Sequence, residues 1–106
     1  MNKVFISPEA ERDLSQIKQY ISTELKKRSS ANRIVGSIMK DLCELGRHPE
    51  QGPSIEALTA FQTELRMLLC GKQIALYKIE NESVFVVRII DTRQDCLRVL
   101  FGDDYL

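Results

Sequence analysis

SVFVVRIIDTR, the stretch at residues 83–93, decides how this chain folds. Its β-branched residues predict a strand, because such side chains pack well on a pleated sheet. Period-two alternation places Arg88 on the same side of that strand as Val84, Val86 and Ile90. A strand that is apolar on both sides is usually central in its sheet. Arg88 must therefore either pair inside the protein or face a cleft that receives an anion.

Length and charge limit the possible functions. A chain of 106 residues is long enough for one core of helices packed on one face of a sheet, so we expect a single domain over residues 1–106. Fifteen basic residues balance fifteen acidic ones, which gives no overall attraction to nucleic acid. Any surface that binds phosphate must therefore be local.

Cysteine usage and hydropathy point to the cytoplasm. Cys43, Cys70 and Cys96 form no C-x-x-C pair, which favours reduced and partly buried thiols. No apolar run approaches the roughly 20 residues that span a bilayer, so no membrane contact is expected. The N-terminus lacks a basic region followed by an apolar stretch. We expect a cytoplasmic protein with no cofactor and no metal site.

The first half of the chain predicts a strand and two helices. A short strand at 3–6 precedes Ser7 and Pro8, which are typical of a helix start. One apolar stripe defines each helix: Ala10, Leu14, Ile17, Ile21 and Leu25 in the first, and Ala31, Ile34, Val35, Ile38, Leu42 and Leu45 in the second. The second helix is expected to start at Ser29 or Ser30 and to end at Gly46. A short connector predicts an antiparallel hairpin.

The second half predicts a meander of strands. A loop at 47–53 follows from its proline and glycine content, and 55–60 stays unassigned. Strands are expected at 61–69, 73–79, 84–90 and 96–101, joined by turns at 70–71 and 80–82. The fold class is therefore α+β, in which an N-terminal strand and a two-helix antiparallel hairpin pack on a mainly antiparallel sheet of about four to five strands. The other face of the sheet, or its rim, is left for function.

Several short motifs together resemble one protein family. Their order and spacing extend over almost the whole chain: Ser7-Pro8-Glu9-Ala10 with Asp13-Leu14, Ile17 and Tyr20-Ile21, the break at 45–49 with Gly52, Glu64-Leu65-Arg66, Leu76-Tyr77, and the stretch 88–95. This pattern is similar to the RelE/ParE superfamily of toxins from bacterial toxin–antitoxin (plasmid stabilisation) modules. The resemblance implies a small, growth-inhibiting toxin and a cognate antitoxin whose C-terminal segment wraps it. RelE-like members cleave ribosome-bound mRNA, and ParE-like members poison DNA gyrase.

Cleavage of mRNA by 2′-hydroxyl attack would require three kinds of group. It needs a base near that hydroxyl, an acid near the leaving 5′-oxygen, and cations around the phosphorane. The candidate cations are Arg66, Arg88 and Arg93, with Arg98 as a further one. Candidate bases are Glu56, Glu64 and Asp91, and candidate acids are Tyr77, Tyr105 and His48. These residues are candidates and do not yet form a constellation.

Two departures from the RelE-like pattern favour the ParE-like side. RelE-like nucleases commonly carry an arginine three residues before the tyrosine equivalent to Tyr77, where this chain has Ile74. A histidine is frequent in the superfamily where this chain has Asp91, and ribosome-directed relatives tend to be basic. We therefore expect a gyrase-directed toxin. The alternatives are a ribosome-dependent mRNA endonuclease and an inactive relative that only binds antitoxin.

The same side chains also fit purely structural roles. Arg88 could satisfy Glu64 or Asp95 across the sheet, and Arg66 could lie on a solvated strand face. The residues around Thr92 could form a polar turn. Tyr77 ends an apolar strand, as a core residue would. His48 before Pro49 fits a loop, and the sequence leaves these alternatives open.

Overall fold

The fold comes from a computed structural model, which describes residues 2–24, 28–59 and 62–92. The elements follow one another as β1 (Lys3–Ile6), α1 (Pro8–Gln19), a π-helical turn (Tyr20–Glu24), α2 (Arg28–Glu44), α3 (Ile55–Thr59), β2 (Arg66–Cys70), β3 (Gln73–Glu80) and β4 (Ser83–Asp91). None of the helices in these ranges is long and apolar enough to cross a membrane.

The four strands form one sheet in the order β1-β4-β3-β2. β2, β3 and β4 are antiparallel neighbours, as the short turns predict, and β1 lies parallel to β4 with Lys3 opposite Ser83. β4 is therefore flanked on both sides, which explains why its sequence is apolar on both faces. The α+β prediction is confirmed.

Residues at the start of α1 also complete the hydrogen bonding of β4. Ser7 caps the helix, since its hydroxyl accepts the amide of Ala10 at 3.0 Å, and the same hydroxyl donates to the carbonyl of Val87 at 2.7 Å. The Ser7 amide donates to the carbonyl of Val86 at 3.0 Å. After β1 ends, Ser7 thus keeps the chain hydrogen-bonded to β4 at the point where α1 begins.

Two apolar clusters lie on opposite faces of the sheet. On the helix side, α1 and α2 pack on alternate residues of β3 and β4, and the most deeply buried members are Ala10, Leu42, Leu45, Ala75, Tyr77, Val84 and Val86. On the outer side, Ile55 packs with Ile74, Leu76 and Ile90. Ile55 belongs to α3, the segment that the sequence left unassigned, and it is fully buried. The outer face is therefore partly covered and not free along its whole length.

A bulge in β4 contradicts the simple alternation expected around Arg88. Leu76 of β3 pairs with Arg88, whereas the next residue, Tyr77, pairs with Val86, so that Val87 is the extra residue. Val84 and Val86 consequently join the helix-side cluster while Ile90 joins the outer one. The prediction that all three share a side with Arg88 is wrong, because one inserted residue reverses the alternation.

Some element boundaries also differ from the expected ones. The strand predicted at 61–69 begins only at Arg66. The turn after it falls at residues 71–72, where Gly71 has a φ of +63°, a left-handed value that glycine adopts without steric cost. The expected turn at 80–82 is present, and Asn81 and Glu82 both have positive φ, as in a two-residue type I′ hairpin. The strand predicted at 96–101 lies outside the described residues.

Candidate functional site

Arg88 forms a two-point ion pair with Asp13 of α1. Its Nε donates to Asp13 Oδ2 at 2.8 Å and its Nη2 donates to Oδ1 at 3.0 Å. The backbone amide of Ile89 donates to the same Oδ2 at 2.9 Å. One carboxylate thus accepts three hydrogen bonds from two consecutive residues of β4. Arg88 pairs inside the protein, but with a helix residue and not with Glu64; Asp95, the other partner that the sequence suggested, lies outside the described residues.

The position of Asp13 follows from the shortness of β1. β1 pairs with β4 only from Ser83 to Val86, so the amide of Ile89 has no strand partner on that side. α1 runs past this part of β4, and Asp13 supplies the acceptor that a longer β1 would have supplied. The buried carboxylate then carries a negative charge that needs a cation, and the Arg88 guanidinium supplies it, with Nε 2.8 Å from Asp13 Oδ2.

The charges around Arg88 favour its protonated state and compensate it. The hydrogen bond to Asp13 raises the pKa of Arg88 above its usual range, burial lowers it, and the charges of Asp13 and Glu9 raise it further. The Arg88 side chain is 31% exposed and that of Asp13 is 11% exposed. Two carboxylates of α1 therefore act on one guanidinium, which weakens its attraction for a further anion.

Tyr77 holds the loop at residues 47–53 against the sheet. It is fully buried; its hydroxyl donates to the carbonyl of Pro49 at 2.7 Å and accepts the amide of Gly52 at 3.0 Å. A Cβ on Gly52 would lie 2.4 Å from the carbonyl oxygen of Met67 and 2.8 Å from the Tyr77 hydroxyl. The loop therefore approaches β2 and β3 as closely as only glycine permits.

Arg66 contacts the same loop from β2. Its Nε donates to the carbonyl of Gly52 at 2.7 Å and its Nη2 donates to the carbonyl of Glu50 at 3.1 Å. Backbone bonding continues the attachment, since the amide of Met67 donates to the carbonyl of Pro53 at 3.0 Å. Arg66 and Tyr77 are also direct neighbours in the β2–β3 register. The structure thus brings these two candidates together as supports of one loop, which we call the 47–53 loop.

The remaining candidates are dispersed. His48 is exposed in the 47–53 loop, Glu56 is exposed on α3, and exposed Glu64 lies 3.8 Å from Lys78 Nζ. Asp91 is half-buried at the end of β4, opposite Gln73. The rest of the candidate residues lie outside the described part of the chain: Arg93, Asp95, Arg98 and Tyr105. Within residues 2–24, 28–59 and 62–92, no three His, Cys, Asp or Glu side chains are grouped to hold a metal ion.

The cysteines of the described residues are both free thiols. Cys43 is exposed on α2 and Cys70 is buried at the end of β2. Burial raises the pKa of Cys70 to about 12, and the charge and hydrogen bond of Asp41 add to that effect. A thiol held protonated in this way is a poor nucleophile, so Cys70 acts as a core residue.

Asp13 is the residue that the sequence search for a site missed. It lies on the buried side of α1, between Ala10 and Leu14 of the apolar stripe. A carboxylate beside the apolar stripe of a helix could have predicted an internal ion pair, because a buried charge requires a partner. The close approach at Gly52 was harder to predict from the sequence, since glycine is common in loops.

The comparisons with known proteins agree with this fold. The model of one family, the ParE toxin of the type II toxin-antitoxin system, parDE, matches residues 4–96. The chain belongs to this ParE toxin family. It is thus a toxin-type member of the RelE/ParE group of type II toxin–antitoxin systems. No curated protein matches it in sequence.

Two solved structures are similar to this ParE-family chain. One is from the chromosomal ParDE TA system of P. aeruginosa, with a TM-score of 0.72 and 18% identity over 86% of this chain and 96% of that chain. The other is from the toxin–antitoxin complex RelBE2 of Mycobacterium tuberculosis, with a TM-score of 0.61 and 18% identity over 85% of this chain and 96% of that chain. At these identities the similarity establishes the shared fold.

Proposed function

We propose that this ParE-family chain is a cytoplasmic growth inhibitor that binds DNA gyrase, is neutralised by a cognate antitoxin and does not cleave mRNA. The observation that carries the proposal is the internal use of Arg88 and Tyr77, two of the candidates for RNA cleavage. Each already has its hydrogen-bonding partners within the protein. Buried Tyr77 is therefore not available to a phosphodiester unless the fold opens, and the charge of partly exposed Arg88 is already compensated.

The charge on Arg88 supports this proposal first. Stabilising a phosphorane requires a cation whose charge is not already compensated. Arg88 is hydrogen-bonded to Asp13 through Nε and Nη2, and Glu9 also acts on it. A phosphate that approached would meet this pair of carboxylates as well as the guanidinium, so its net attraction would be small.

Tyr77 supports it second. A general acid must reach the leaving oxygen of the substrate, either directly or through one water. Tyr77 is fully buried, and its proton already points to the carbonyl of Pro49. Ile74, at the position where RelE-like nucleases commonly carry an arginine, is buried in the outer cluster with Ile55. That position supplies packing in this chain and no charge.

Partnership with an antitoxin is the second part of the proposal. Both similar solved structures are described as toxin–antitoxin systems or complexes. A role in plasmid stabilisation is also part of the proposal, and its support is the family membership alone. Co-expression with the product of the adjoining reading frame should yield a complex that survives size-exclusion chromatography. A chain that elutes alone and shows no heat of binding in calorimetry would disprove the partnership.

The target is decided by two assays run on one preparation. Purified gyrase should lose supercoiling activity when the toxin is added, and adding the antitoxin first should prevent that loss. Toeprinting on programmed ribosomes should show no toxin-dependent cuts. Cuts at codon positions with unaffected gyrase would establish the mRNA endonuclease instead. Inactivity in both assays, with intact antitoxin binding, would establish a relative that only binds its partner.

A further inference from the structure

Gly36 occupies the middle of α2, where nothing in the described part of the chain requires glycine. α2 runs from Arg28 to Glu44, and glycine weakens a helix interior relative to alanine because it loses more backbone freedom on folding. Gly36 is exposed, and a Cβ built on it would meet no atom of residues 2–24, 28–59 and 62–92 within 4 Å. It also lacks the positive φ that would require glycine. The described fold would therefore accept alanine here and would gain stability from it.

Basic residues lie on either side of Gly36 along the same exposed face. Arg33 is one turn before it and Lys40 one turn after it, and Arg47 follows in the turn beyond α2. All three are exposed, and Arg33 and Lys40 are seven residues apart within α2, which is about 10 Å along a helix. Residues seven apart lie on nearly the same side of a helix. We call this surface the α2 outer face, defined by Arg33, Gly36 and Lys40.

We infer that the α2 outer face is the docking surface for an acidic helix of the antitoxin, which crosses α2 over Gly36. The inference rests on the antitoxin partnership proposed above. Positive charges on both sides of the crossing complement an acidic partner and orient it. The missing Cβ at Gly36 lets the partner backbone approach closely. A glycine that weakens α2 in the free chain would thus serve the contact with the antitoxin.

A helix fits this surface better than a nucleic acid does. Nucleic acid carries a regular, dense row of phosphates and needs many cations, whereas this chain has no net charge. Exposed Glu44 also lies one turn after Lys40 on this face and would repel a polyanion. Side chains on a partner helix can avoid Glu44 while they contact Arg33 and Lys40.

Gly36→Ala tests the close approach. The free variant should melt about 4 °C or more above the parent, because alanine is the better helix former. Its Kd for the product of the adjoining reading frame should rise about tenfold or more, because the new methyl group enters the crossing point. Ser15→Ala on α1 is the matched control, since Ser15 is also exposed in a helix. It should raise the melting temperature slightly and leave Kd unchanged.

Charge removal tests the complementarity independently. Arg33→Gln combined with Lys40→Gln should slow association about tenfold at low salt and reduce the dependence of the association rate on salt. Arg12→Gln combined with Lys18→Gln removes two exposed cations of α1 and serves as the control. That control should associate like the parent. A parent that binds duplex DNA as tightly as it binds the antitoxin would overturn the choice of partner.

The outcomes separate this inference from the proposed function. If the parent forms no complex with the product of the adjoining reading frame, the partnership is wrong and the docking surface is wrong with it. If the parent binds and Gly36→Ala binds equally well, only the docking surface is wrong. Stabilisation of the free chain together with weaker binding is the result that supports it.

Discussion

Two regions of this toxin are held by contacts of opposite character. α1 is attached to β4 by the ion pair of Asp13 and Arg88, which is charged and partly exposed. The contact of the 47–53 loop with β3 is made by Tyr77 through neutral hydrogen bonds, one buried and one partly buried, while Arg66 adds a charged donor from β2. Both contacts use residues that sequence patterns of the superfamily suggested for chemistry. The difference shows that side chains of a kind suited to chemistry can instead support tertiary structure, in an accessible place or in a buried one, and that changing them then has different consequences.

Gly52→Ala should have the largest effect, because it removes the close approach on which the neutral contact depends. The added Cβ would lie 2.4 Å from the carbonyl oxygen of Met67, a backbone atom that cannot rotate away. We expect a loss of about 3 kcal/mol or more in the free energy of unfolding, measured by urea denaturation. Gly36→Ala introduces the same methyl group where space is open and should stabilise the chain. Equal stability of the Gly52 variant and the parent would show that the loop is not packed as described.

Arg88→Ala breaks the charged contact and should cost about 2–3 kcal/mol. Asp13 would remain mostly buried with only the Ile89 amide as a donor, but the partial exposure of Arg88 reduces the loss below that of a fully buried pair. A double-mutant cycle with Asp13→Ala measures the coupling. Arg12→Ala, an exposed change on α1, is the control and should have little effect. Below its melting temperature the Arg88 variant should still inhibit gyrase; a folded variant that no longer does so would make Arg88 a site residue.

Tyr77→Phe sharpens the comparison by removing only the hydroxyl. The ring keeps its place in the core, whereas the buried amide of Gly52 and the carbonyl of Pro49 lose a partner. We expect a cost of about 1–2 kcal/mol that does not change between low and high salt. The coupling of Asp13 and Arg88 should weaken with salt, because one of its partners is partly hydrated. A salt-sensitive Tyr77 variant would contradict the assignment of a neutral contact.

Cys70 gives the smallest expected effect, which appears only at high pH. Its pKa is raised in the folded chain to about 12 from an ordinary value of 9.0, so the folded state binds the proton more tightly than the unfolded state. The stabilisation is fully present below pH 9 and is lost as pH rises from about 9 to about 12. At pH 10 the parent should have lost about 1 kcal/mol that a Cys70→Val variant retains. Parallel pH profiles for both proteins would contradict this.

The sequence predicted the architecture because the signals for it are local and repeated. The apolar stripes of α1 and α2 have the helical period, and the apolar runs of the second half indicate strands. The short turns indicate which strands are neighbours, and the α+β fold follows from the order of these elements. It also predicted that Arg88 either pairs internally or faces an anion. The partner of Arg88 could not be found in the same way. Asp13 accepts the Ile89 amide because β1 has already ended at Ile6, and Asp13 lies 76 residues before Ile89 in the sequence.

The parts that the sequence did not predict depend on single residues. Nothing in VVRII marks Val87 as the bulged position, and one inserted residue reverses the side on which every later residue lies. α3 has only five residues, too few to show a helical period, yet its Ile55 is fully buried. The role of Tyr77 depends on the 47–53 loop, whose path over the sheet carries no periodic signal.

The parallel pairing of β1 with β4 has a consequence for how the chain is made. β1 is synthesised first, but its partner residues Ser83–Val86 belong to the last of the four described strands. Neither β1 nor the carboxylate of Asp13 can reach its final place until that strand has left the ribosome. Contacts between residues so distant in sequence close slowly compared with the local contacts of helical bundles. A nascent chain therefore cannot complete this fold before β4 is made, and a chain interrupted before β4 can pair β2 with β3 but leaves β1 without its partner strand.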